Sequence, residues 1–95
     1  MKIGRVAELL ELPGRGVAVI TDTAFEQLPS ELRLKIGDPV ELRHAAEVLR
    51  TKVVGIEHCD PWSPKQKFCI LLPSDVTKDA ITIGSEVWSD QVPTA

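Results

Sequence analysis

No stretch of the chain approaches the ~20 apolar residues that span a bilayer. The first residues hold a lysine and no long apolar run, which predicts no signal peptide and a cytoplasmic location. Cysteine is scarce, and Cys59 and Cys69 fit no C-x-x-C spacing. In a reducing compartment they read as two free thiols. Positive charge is not in excess: net charge is −3 and the isoelectric point is about 5.3. That balance speaks against DNA and bulk RNA as partners, because counterion release needs a basic face. No G-x-x-x-x-G-K-[ST] phosphate loop occurs. No repeat, low-complexity tract or linker divides the chain.

What remains is a single domain of 95 residues, 43% hydrophobic and 26% charged. That is enough for one modest core. Strand signals dominate, as short runs parted by Gly, Pro, Asp and Ser. Strands are predicted at Val6–Leu12, Gly16–Thr23, Pro39–His44, Leu49–His58 and Lys67–Leu72, with a last one at Val87-Trp88. Helical turns are expected after Ser30, as N-cap, and within Ser74–Ile81. So many short strands with so little helix predict an all-β fold, a small closed antiparallel barrel. Val17, Val19, Val40, Leu42, Val54, Ile56, Ile70 and Leu72 are its expected core. Residues 90–95 are expected to form a flexible tail.

Three motifs carry further information. They are Gly14-Arg15-Gly16 before an apolar strand, Leu34-Lys35-Ile36-Gly37-Asp38-Pro39-Val40-Glu41, and Thr51-Lys52-Val53-Val54-Gly55-Ile56-Glu57. In order and spacing they resemble the second domain of elongation factor Tu and related translational GTPases. The resemblance runs from about Val6 to Ser89. It implies the translation-factor barrel type and contact with the translation machinery: a ribosome, a transfer RNA or a translational GTPase. In that family one barrel face helps hold the aminoacylated end of a transfer RNA. Carried over by position, that face falls on Glu8 and Glu57. Leu10 stands in place of an aromatic and Ala7 in place of an acid. The segment Asp22–Leu34 departs from the family as an insertion holding Phe25, Leu28 and Pro29.

Arg15 is a candidate binding guanidinium, against its use as a turn brace. His58, Cys59 and Asp60 are adjacent, so along a strand they point to opposite faces and make a poor metal site. No catalytic constellation stands out, and no cofactor is expected. Trp62, between Pro61 and Pro64, is the best interaction signal, against a lid role. Phe25, Leu28 and Leu32 either cover a barrel end or form an exposed patch for a partner or a second copy of the chain. The sequence therefore predicts a non-catalytic binding module in contact with the translation machinery. The alternative is a protein–protein adaptor that uses the 22–34 loop and Trp62.

Overall fold

A computed structural model describes residues 1–91. Seven strands, β1 (Lys2–Leu12), β2 (Gly16–Ala24), β3 (Pro39–His44), β4 (Glu47–Lys52), β5 (Gly55–Glu57), β6 (Lys67–Leu72) and β7 (Glu86–Ser89), form one sheet. Its order is β4-β3-β7-β1-β2-β6-β5, and every ladder is antiparallel. The all-β expectation holds. The order has two ends, β4 and β5, and no ladder joins them among the described residues.

β1 is the spine of this arrangement. Its first half pairs with β7 and its second half with β2, with register shifts at Lys2/Gly4 and Val6/Glu8. Such bulges bend a strand and sharpen its twist. One strand thereby serves both halves of the sheet.

Strand alternation builds that core. Val6, Val19, Val40, Ile70, Leu72 and Val87 are each 2% exposed or less. Each contributes roughly 1.5–3 kcal/mol by leaving water. Thr21 is also buried, and its hydroxyl donates to the Phe68 carbonyl at 2.8 Å, so no polar group is left unpaired there.

Two expectations need correction. The strand predicted over Leu49–His58 is broken at Val53-Val54 into β4 and β5. Alternation restarts at the break, so Val53 is fully buried while Val54 and Ile56 are half-buried. The turn expected after Ser30 is not a helical one. A 3₁₀ turn forms earlier, at Phe25–Gln27, where the Gln27 side chain accepts from the Ala24 N–H at 2.9 Å. The second predicted turn is present at Lys78–Ala80. Gln91 exchanges two hydrogen bonds with the Arg33 backbone, at 2.8 Å each. The rest of the expected tail lies outside the described residues. No described helix is long and apolar enough to cross a membrane.

Candidate functional site

β2 and β6 are apolar on both faces. Val17 and Val19 point into the core, and Ala18 and Ile20 point away from it. Likewise Phe68, Ile70 and Leu72 alternate with Cys69 and Leu71. On β1, Leu10 and Leu12 stand on the outer side opposite core Leu9. An antiparallel sheet usually leaves its outer face polar. Here that face holds an apolar groove of about 480 Å³, floored by Leu10, Leu12, Ala18, Ile20 and Cys69. Leu10 remains 49% exposed.

Charged side chains bound the groove. Arg15 rises from the turn between β1 and β2, where its N–H donates to the Leu12 carbonyl at 2.8 Å. Its guanidinium donates to a carboxylate oxygen of Glu57 on β5. Gly16 makes the turn possible. Its φ is +126°, and a Cβ there would lie 2.1 Å from the Leu72 carbonyl oxygen. The other end of the groove is walled by His58, Cys59, Gln66 and Lys67. Gln66 pins that wall: it accepts from the Cys59 N–H at 3.0 Å and donates to the Cys59 and Pro61 carbonyls.

Cys69 lies in the groove floor opposite Glu57 in the ladder. Burial first, then the charges of Glu57 and Cys59, push its thiol up to about 11. It is therefore a protonated, weakly nucleophilic sulfur at neutral pH. Among the described residues no three of His, Cys, Asp and Glu converge.

Beside the groove an aromatic stack runs from surface to core. The Trp62 ring meets Phe25 edge-on at 4.8 Å, and Phe25 meets Phe68 edge-on at 5.1 Å. His58 meets Trp62 at 5.6 Å. The backbone supports the stack, since the Phe25 and Glu26 N–H groups donate to Gln66 and Pro64 carbonyls at 2.9 Å.

The sequence candidates thus divide. Arg15 and Glu57 meet at the groove, with Leu10 on its floor. Glu8 is exposed on the same side of β1, paired with Ile20, but stands outside the groove. Phe25 and Trp62 touch each other. Phe25, Leu28 and Leu32 are half-buried against the core, so they cover it; of the proposed patch only Trp62, 51% exposed, faces water broadly. The groove floor of Ala18, Ile20 and Cys69 was missed by sequence reasoning. Its signal was present, because Val17–Ile20 and Phe68–Leu72 are continuous apolar runs rather than alternating ones. Comparison of the chain with family models, with curated proteins and with solved structures returned no match.

Proposed function

We propose that the chain is a non-catalytic binding module of the translation-factor second-domain type, which meets a component of the translation machinery through the groove on β1, β2, β6 and β5. The observation that carries this reading is the meeting of Leu10, Arg15 and Glu57 at one apolar groove. Of the positions onto which the family's binding face carries over, Glu57 borders the groove and Glu8 stands outside it, while Leu10 takes the place of the family's aromatic. The barrel type is supported by the Val53-Val54 link. Val53 N–H donates to Asp38, beside β3, and Val54 N–H to Leu71 on β6, both at 2.9 Å. One short link is thus bonded to both halves of the sheet.

The groove suits an apolar group with a polar attachment held at Arg15 or Glu57. With Leu10 in place of an aromatic, its floor offers aliphatic contact and no ring to stack on. The acidic balance of the chain disfavours long phosphate tracks.

The test is co-sedimentation of the purified chain with ribosomal subunits, together with titration against aminoacylated transfer RNA and a translational GTPase. One of these is expected to bind and to shift resonances of Leu10 and Ile20. The exposed-site variant Leu10→Glu should abolish the interaction without unfolding the protein. Absence of binding to all three would end the translation reading.

Trp62 favours a second reading. An exposed tryptophan held in place by Phe25 and His58 is pre-organised for a protein contact. In that adaptor reading, Trp62→Ala removes partner binding and Leu10→Glu does not.

A further inference from the structure

The two ends of the sheet are unlike. β5 is three residues long, whereas β4 runs for six and pairs only with β3. The far side of β4 meets no backbone partner among the described residues. Facing it is the segment after β6, and clefts separate the two. One, of about 560 Å³, lies between Arg50–Lys52 and the pair Pro73 and Asp75. Another, of about 210 Å³, has Val48 and Leu49 on one side and Ala80–Thr82 on the other. A strand edge with open space beside it presents a row of free N–H and C=O groups.

The side chains beside that edge carry a bias. On the outer face of β3 and β4, Arg43, Arg50 and Lys52 stand with a single carboxylate, Glu41. Glu41 already binds both Arg43 and Arg50, at 2.8–2.9 Å. With Asp75 across the cleft counted, three basic groups stand against two acidic ones, in a chain whose net charge is −3. Arg50 keeps most of its side chain in water, and Val48, on the same row, is 47% exposed.

We propose that the free edge of β4 receives an extended acidic segment of a partner protein, which adds a strand beside Glu47–Lys52 with carboxylates against Arg50 and Lys52. This is strand addition, in which main-chain bonds supply affinity and alternate side chains supply selectivity. Arg50 and Lys52 are two residues apart, so the acids must also recur at every second position, with β-branched residues between them. The occupant would span roughly 20 Å, at about 3.3 Å per residue. A second copy of the chain fits worse. Pairing β4 with β4 antiparallel sets the Arg50 and Lys52 rows of both copies side by side, and like charges across strands are destabilising. Nucleic acid fits worse because it cannot answer an alternating row of backbone donors and acceptors. The proposal is independent of the groove on the opposite half of the sheet.

The experiment is amide hydrogen exchange by NMR on the full chain, with ten-residue peptides as probes. One alternates glutamate with valine and one alternates lysine with valine. Two more are the glutamate peptide N-methylated at every second residue, in either frame. The glutamate peptide is expected to slow exchange across β4 at least tenfold, and the lysine peptide to leave it unchanged. Only one N-methylated frame should lose the effect, because only one edge of the peptide pairs. The variant Arg50→Glu with Lys52→Glu should invert the preference towards lysine, while Leu10→Glu should change nothing here. Equal protection by both charged peptides would overturn the proposal, as would survival of the effect in both N-methylated frames. So would β4 protection that grows with protein concentration alone, a response to oligouridylate in place of peptide, or no response at millimolar glutamate peptide.

Discussion

The Trp62 ring stands edge-on to that of Phe25, with centroids 4.8 Å apart and planes at 78°. Phe25 in turn stands edge-on to buried Phe68. The three rings therefore differ in cost although they form one stack. Phe25→Ala removes a half-buried ring from between two others and is expected to cost about 3 kcal/mol. Trp62→Ala, at the exposed end, is expected to cost about 1 kcal/mol, mostly the ring–ring contact. Urea unfolding of both single variants and the double variant measures this. A coupling of roughly 0.5–1.5 kcal/mol is expected. Equal costs for the two single variants would contradict the stack as described.

Gly16 and Gly14 flank the same turn but face different surroundings. A Cβ on Gly16 would collide with the Leu72 carbonyl oxygen, a backbone atom of the neighbouring strand that has no rotamer to yield. At Gly14 φ is +76° and nothing lies within 4 Å. Gly14→Ala therefore carries only the left-handed backbone penalty, roughly 1–2 kcal/mol. Gly16→Ala adds the collision and is expected to cost more than about 3 kcal/mol. Thermal melts of the two variants should separate clearly, and a similar drop in both would refute the difference.

Much of this fold was legible in the sequence, and the failures have local causes. β3 and β6 occupy the residues that alternation and apolar runs predicted, because their faces meet the core without interruption. Val53 was misplaced. Periodicity carried through the T-K-V-V-G-I-E run assigns Val54 to the core, but the break between β4 and β5 resets which side faces inward. A break of that kind is set by the switch from the hairpin partner β3 to β6, which lies beyond the 58–66 loop. Arg15 and Glu57 were legible as residues of interest but not as a pair. Their meeting depends on β5 docking beside β6, again a tertiary event.

Acid should weaken the fold through three carboxylates. The Arg5 backbone N–H donates to Asp22 at 2.9 Å and holds its carboxyl below the ordinary value; burial opposes this and the Thr23 hydroxyl assists. Glu41 is lowered by Arg50 and then Arg43, and Glu86 by the Trp88 N–H and then Lys2. A carboxylate lowered in the folded state binds protons more readily when unfolded. Its stabilisation is complete above the unfolded value, about 4, and is lost as pH falls through the folded one. Urea midpoints should therefore hold from pH 7 to about 5 and fall towards pH 2.5. Asp22→Asn keeps an acceptor for Arg5 but has no proton to gain, so its fall should be shallower. An unchanged midpoint at pH 3 in the parent chain would contradict the assignment.

Arg15 and Glu57 allow bracing and binding to be separated. Both side chains are well hydrated, at 58% and 33% exposure. Exposed ion pairs of this kind contribute about 0–1 kcal/mol. If the pair serves the groove, Arg15→Ala and Glu57→Gln should each leave unfolding within about 1 kcal/mol of the parent. Both should still weaken association with the partner proposed for the groove at least tenfold. Arg15→Lys should fail to restore it, because an ammonium lacks the planar fork that a guanidinium presents to a carboxylate. Raising the salt should weaken the parent interaction and leave the residual binding of the Arg15→Ala variant nearly flat. A loss of stability well above 1 kcal/mol in Arg15→Ala, with binding per folded molecule intact, would instead make Arg15 a brace for the turn, and the groove would lose its polar anchor.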